Sequence, residues 1–305
     1  MNTVEYIMSK SAREDLKMLM EKIVDVKQLQ NLEDNNFPQK LYKYCSINKY
    51  NIDNLLNNEL TATNPVLFND LYDSTMHFDT YAEKLKRISE LNLSAKKLGY
   101  NSMVDEHQTK ELLKNSEESD IFKSTFLAKG FRIVSLSSKP NDTKMWGLYA
   151  NKNRGICVEY SFKQDLHKIA KFVYPVFYVD KPIEDTYLCD SDEMINLAIL
   201  KSILSKAKDW EYEAEWRIVF YIGYNINDPR IQLIRIPKPT AIYLGYKLVD
   251  KYCNSKIEDI EETEYFQKLL TYVKKNKISL NICKPQMRSY ALAFEDINID
   301  DICGH

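Results

Sequence analysis

The residues best suited to chemistry in this chain lie in Trp210-Glu211-Tyr212-Glu213-Ala214-Glu215-Trp216-Arg217, just before the apolar run Ile218 to Ile222. Three carboxylates, a guanidinium and three large aromatics interleave within eight residues. In an extended strand, Glu211, Glu213, Glu215 and Arg217 share one face while Tyr212 and Trp216 pack on the other. In a helix, Glu211 and Glu215 stand one turn apart with Glu213 roughly opposite. The spacing favours a strand from about Ala214 onward. Paired carboxylates beside an arginine suit stabilisation of a developing cation, or equally an ion pair between structural elements.

Partners for that pair must come from elsewhere in the chain, and three segments concentrate suitable residue types. Leu41-Tyr42-Lys43-Tyr44-Cys45-Ser46 reads as a strand with Lys43 on one face and Tyr42, Tyr44 and Ser46 on the other. Phe68-Asn69-Asp70-Leu71-Tyr72-Asp73 places Asn69 and Asp70 where a turn or a helix cap is expected. Ser135-Leu136-Ser137-Ser138 leads through Asp142, a candidate helix cap, into Met145-Trp146-Gly147-Leu148-Tyr149-Ala150 and then Gly155-Ile156-Cys157-Val158-Glu159-Tyr160. Trp146 and Tyr149 fall on neighbouring helix faces, as core residues or as a stacking wall.

Bulk composition removes several alternatives. The chain has 305 residues, 44% hydrophobic and 28% charged, with a formal net charge of -2, which fits folded globular material. That charge does not call for nucleic acid as a partner, although a local basic patch would be compatible with it. No run of 18 apolar residues is present and Met1 to Met20 is rich in charge, so the expectation is a cytoplasmic protein without a membrane partner. The six cysteines are dispersed with no C-x-x-C, and the histidines His77, His107, His167 and His305 lack metal-ligand spacing, so no metal site is expected. The seven glycines form neither a dinucleotide-binding turn nor a phosphate loop.

The periodicities predict an α+β fold: a mixed, largely antiparallel sheet core with an N-terminal helical extension over residues 1–39. Residues 40–305 then form a single domain carrying a helical insertion at about 79–129, closed by Gly130. Strands are expected at 40–45, 60–62, 131–136, 155–160, 172–179, 216–223, 231–236, 241–245, 278–283 and 289–294. Helices are expected before Leu56, over 141–150, from about Lys163, over 191–209 and over 261–275.

Taken in order, Leu-Tyr-Lys-Tyr, Phe-Asn-Asp-x-x-Asp, Ser-Leu-Ser, Met-Trp-x-x-Tyr-Ala, Gly-Ile-Cys-Val-Glu-Tyr and Tyr-Glu-x-Glu-Trp-Arg make the chain similar to the bacterial domain-of-unknown-function family 2971, over about Lys40 to Gly245. Leu71 stands where that family usually has a proline after Asn-Asp. The Glu213-x-Glu215 pair, the Lys43-Tyr44 strand and the Ser135-x-Ser137 strand also resemble, more distantly, the three-part layout of ADP-ribosyltransferases. That resemblance implies cleavage of the nicotinamide–ribose bond of NAD as co-substrate, with transfer of ADP-ribose to a macromolecule or water, in a toxin or phage-defence effector. It implies Glu215 as the ribose-holding carboxylate and Glu213 as the group activating the acceptor. Lys43, Tyr44, Ser46, Asn69, Asp70, Ser137, Trp146, Tyr149 and Arg217 then line the nucleotide. Lys43 takes the place of the expected Arg or His and offers a point charge without a bidentate fork. Two other readings accommodate the same residues: a non-catalytic module binding a nucleotide or a protein, and a magnesium-dependent nuclease built on Asp70, Asp73 and Glu213.

Overall fold

The computed structural model describes residues 38–70, 72–74, 80–100, 104–113, 130–162, 173–181, 202–221, 231–248, 260–299 and 302. Twelve strands are placed within them: β1 (Leu41–Cys45), β2 (Glu59–Thr63), β3 (Phe131–Ser137), β4 (Ile156–Tyr160), β5 (Val173–Pro175), β6 (Phe177–Val179), β7 (Ser205–Ala207), β8 (Glu215–Tyr221), β9 (Ile231–Arg235), β10 (Pro239–Leu244), β11 (Ser279–Pro285) and β12 (Leu292–Asp296). The described helices are α1 (Lys49–Leu56), α2 (Thr80–Lys97), α3 (Glu106–Leu113), α4 (Thr143–Tyr149) and α5 (Ile260–Asn276), with a short 3-10 helix at Lys208–Glu213.

Ten strands form one sheet in the order β12-β11-β10-β4-β1-β3-β2-β9, with β8 added on β3 and β5 on β8. Its pairings are antiparallel except β10 with β11, so the fold is α+β around a largely antiparallel sheet. Strand alternation divides the core between the two faces. Leu41, Val134, Leu136, Val158 and Ile218 point to one face, where Ile52 and Leu55 of α1 and Phe266, Leu269 and Val273 of α5 cover them. Tyr42, Tyr44 and Cys157 point to the other, against Met145 and Trp146 of α4. Asp142 starts α4 by accepting hydrogen bonds from the Lys144 and Met145 amides, at 2.8 and 3.0 Å.

The sheet forks at β3. Along one edge β8 pairs with β3 over its full length, from Phe131↔Tyr221 to Ser137↔Glu215. A strand has only one other edge, and there β1 meets β3 at Tyr42↔Ser137 while β2 meets it at Ile133↔Thr63. Between those two contacts β1 and β2 diverge past Val134 to Leu136, and the gap opens a cleft onto the α4 face.

One expectation needs correction. In the described part of the helix predicted over 191–209, α-helical backbone is present only at 202–203, before β7, which pairs in parallel with β6, and the 3-10 helix that follows. Ser205-Lys206-Ala207 lacks intrinsic strand character and is extended because β6 offers it a backbone ladder, a tertiary effect that local periodicity does not carry. The strand favoured from about Ala214 onward begins at Glu215, after the 3-10 helix, so Glu211 is exposed and apart from the carboxylate face. The insertion at about 79–129 carries α2 and α3 in its described part. The 1–39 extension (save Pro38 and Gln39) and the helix from Lys163 lie outside the described residues, as do His77, His167 and His305.

Candidate functional site

The site begins where the 3-10 helix turns into β8. Ala214, the pivot, adopts the left-handed conformation (φ 44°) and its amide donates to the Glu211 carbonyl. This turn sets Glu213 beside Glu215 although Glu213 is not in the strand. The Ser137 hydroxyl fixes the turn by donating to the Glu213 carbonyl at 2.6 Å, and the Ser138 amide donates to the Ala214 carbonyl. Glu215 and Arg217 then alternate along β8 onto the same face as Ser135 and Ser137 of β3.

Arg217 is fully buried and all five of its N–H groups are taken within the protein. Nε and Nη2 grip Glu215 at 2.8 and 3.0 Å, and Nη2 also reaches Asp73 Oδ2 at 2.6 Å. Nη1 donates to Ser74 Oγ at 3.2 Å and to the Ile203 carbonyl. Lys206, from β7, inserts its ammonium among three carboxylates: 2.6 Å from Glu213, 3.4 Å from Glu215 and 3.4 Å from Asp73. The indole of Trp210 lies over that ammonium at 4.8 Å. Tyr149 Oη donates to Glu213 Oε1 at 2.6 Å, and the Glu215 amide donates to Tyr178 Oη at 2.8 Å.

These contacts separate the two carboxylates electrostatically. Burial alone would raise the Glu215 carboxyl, but the Arg217 guanidinium and the Lys206 ammonium overcome it and hold the group down to about 2. Burial dominates at Glu213 and keeps its carboxyl above the ordinary value despite Lys206 and Tyr149. On the cationic side, burial opposes ionisation of Lys206, yet Glu215, Asp73 and Glu213 outweigh it and raise the amine. At Lys43 burial prevails and lowers the amine.

A cleft of about 330 Å³ opens above this network. Its floor and walls include Glu213, Glu215, Lys206, Asp73, Tyr149 and Ser137, and Asn69, Lys43, Tyr44, Phe68 and Ser135 complete the lining. Of the residues expected at a site, Glu213, Glu215, Lys43, Tyr44, Asn69, Ser137 and Tyr149 therefore come together. Four do not. Ser46 sits at the start of α1, where its hydroxyl and carbonyl accept from Asn48 and Asn51. Asp70 Oδ1 accepts from the Tyr72 amide in turn chemistry, and Asp70 is absent from the cleft lining. Trp146 is 0% exposed, with its indole N–H on the Pro140 carbonyl, so it supports Tyr44 edge-on from below rather than stacking on a ligand. Arg217 has no donor left for a ligand and acts by holding Glu215 and Asp73.

Lys206 was missed by sequence reasoning because a lone lysine inside an expected amphipathic helix reads as surface. Its position also bears on a metal: a buried ammonium occupies the point where Asp73, Glu213 and Glu215 converge, and Asp70 is elsewhere. Among the described residues no cluster of three or more His, Cys, Asp or Glu side chains is arranged to hold a metal ion. No described helix is long and apolar enough to cross a membrane.

The segment that carries most of this network has relatives. Residues 145–218 match a family model described as Protein of unknown function (DUF2971). The DUF2971 span contributes Tyr149, Lys206, Glu213, Glu215 and Arg217, whereas Lys43, Asp73, Ser135 and Ser137 reach the cleft from before it. No curated protein and no solved structure matches the chain.

Proposed function

We propose that the cleft binds a nucleotide and breaks its glycosidic bond, with NAD as the co-substrate and either a macromolecule or water as acceptor, in the manner of an ADP-ribosyltransferase. One observation carries this reading: two adjacent carboxylates line one cleft with their proton affinities pushed in opposite directions, Glu215 held ionised and Glu213 raised. The cleft volume stands at the low end of the ~300–1,000 Å³ typical of ligand sites and suits the nicotinamide riboside end, with the remainder extending from the mouth.

In this mechanism the C–N bond to nicotinamide breaks and its electron pair neutralises the pyridinium ring. The ribose carbon becomes an oxocarbenium-like cation. Glu215, ionised throughout, supplies the fixed negative potential that favours the cation. Glu213 accepts the proton of the incoming hydroxyl as it adds to that carbon, a role for which a raised carboxylate is well matched. Tyr149 orients Glu213, while Phe68 and Tyr44 provide the aromatic walls expected earlier of Trp146. A toxin or phage-defence role would follow from the acceptor that such an enzyme modifies.

The competing reading, a non-catalytic binding module, draws on the internal satisfaction of Arg217. The test is nicotinamide release from NAD by purified protein, with and without cell lysate as acceptor, beside calorimetric titration of NAD. Release supports the enzyme; NAD binding without release favours the module; neither release nor binding removes NAD from the account.

A further inference from the structure

Lys43 lines the cleft but takes no part in the proposed reaction. As the third residue of β1 it belongs by alternation to the α1/α5 face, with Leu41 and Cys45, yet it lines the cleft on the opposite face. Its side chain therefore threads the fork between β1 and β2, and its ammonium donates to the Ser135 carbonyl at 2.9 Å, in the stretch of β3 that neither strand reaches. A second cavity of about 190 Å³ lies on the far side, also lined by Lys43, together with Cys45, Tyr50, Glu59 and Tyr160. Among the described residues no carboxylate is within ion-pair distance of the amine. Glu213 and Glu215 act on it only across the cleft.

We propose that Lys43 is a nucleophilic amine that forms an imine with a small polyhydroxy aldehyde, such as an open-chain sugar, admitted to the cleft. The geometry supplies the three parts such a reaction needs. The amine is half-buried with no permanent counter-ion, and desolvation favours its neutral, nucleophilic form. Glu213, whose carboxylate oxygens accept from the Tyr149 hydroxyl and the Lys206 ammonium, shares the cleft with it and is placed to take up and return a proton. Thr63, Asn69, Ser135 and Ser137 add hydroxyl and amide groups that match the hydroxyls of a sugar.

The Nζ lone pair attacks the aldehyde carbon, forming the C–N bond while the C=O π pair moves to oxygen, which takes up a proton. Glu213 takes the proton shed by the attacking nitrogen and returns it to the carbinolamine hydroxyl, which leaves as water, and the nitrogen's remaining proton goes to solvent as the C=N bond forms. The net change is amine plus aldehyde to imine plus water, with no oxidant or reductant. The inference goes beyond NAD cleavage and does not depend on it, because any source of aldehyde serves.

The experiment is incubation of the intact chain with D-ribose and cyanoborohydride at pH 7, followed by peptide mass mapping. Reduction converts the imine into a stable secondary amine on the lysine that formed it. Lys43 is expected to be labelled several-fold faster than the exposed Lys208 and Lys268, because burial lowers its amine while theirs remain in solvent. Glu213→Gln is expected to slow labelling at Lys43 and leave the exposed lysines unchanged, which a purely structural role for Glu213 would not do. Labelling of Lys43 no faster than that of exposed lysines in the wild-type chain overturns the proposal, as does an unchanged Lys43 rate in Glu213→Gln. No nucleotide enters this test, so its failure and the failure of NAD cleavage are read separately.

Discussion

Arg217 uses each of its five N–H groups on Glu215, Asp73, Ser74 and the Ile203 carbonyl, at zero solvent exposure. A buried guanidinium of this kind is worth most as an organiser, because its removal strands Glu215 and Asp73 with only Lys206 between them. Arg217→Met is expected to destabilise the fold by about 3–5 kcal/mol, read as a lower urea midpoint at unchanged slope. Arg217→Lys restores the charge without the planar fork and should recover only part of the loss. Wild-type stability in Arg217→Met would contradict the network. At this scale the sequence announced Glu213, Glu215, Lys43, Asn69, Ser137 and Tyr149, because carboxylates and lysines next to apolar strands are conspicuous. It misassigned Trp146 and Arg217, since a residue type that suits a ligand suits a satisfied interior equally, and only the partners decide.

The elements that matter are a strand pair that separates and a turn that refuses to extend. Ala214 in the left-handed region ends the 3-10 helix and starts β8, which is why Glu213 joins Glu215 by a corner instead of by alternation. On the other side of the cleft, β1 is pressed against the turn that leads into β4. A Cβ on Gly155 would lie 2.3 Å from the Cys45 carbonyl oxygen and 2.9 Å from the Ala150 carbonyl carbon, both backbone atoms that cannot step aside. Gly155→Ala is therefore expected to push the end of β1 away from β4 and to cost about 1–3 kcal/mol, measured as a drop in thermal midpoint. An unchanged midpoint would show that this approach is not tight. Most strands were readable from runs of apolar and β-branched residues. β7 was not, because Ser-Lys-Ala becomes a strand only through β6, and neither was the fork, which depends on long-range register.

Across the whole molecule, the two glutamates link folding to pH in opposite senses. Glu215 has a folded value of about 2, below its ordinary 4.5, so its contribution is fully present above 4.5 and is lost as pH falls toward 2. Glu213 is raised, so its contribution is greatest below 4.5 and declines as pH climbs through its folded value. Acid titration of the wild type followed by circular dichroism should show stability falling between about pH 4.5 and 2. In Glu215→Gln that acid loss should shrink. An acid limb of equal depth in both proteins would contradict the assignment of the low value to Glu215. The α+β class and the antiparallel sheet could be read from alternation and turn residues, whereas the convergence of residues 43, 73, 135, 149, 206, 213 and 215 is a property of the closed sheet.

The most direct measurement is nicotinamide release from NAD by the wild type and by Glu213→Gln, with NAD affinity measured in parallel by calorimetry. If Glu213 takes the acceptor proton above a carboxylate fixed by Arg217, release falls by about 100-fold or more in Glu213→Gln while affinity holds within a few-fold. Release by Glu213→Gln at the wild-type rate would contradict the account, and so would the absence of release from the wild type.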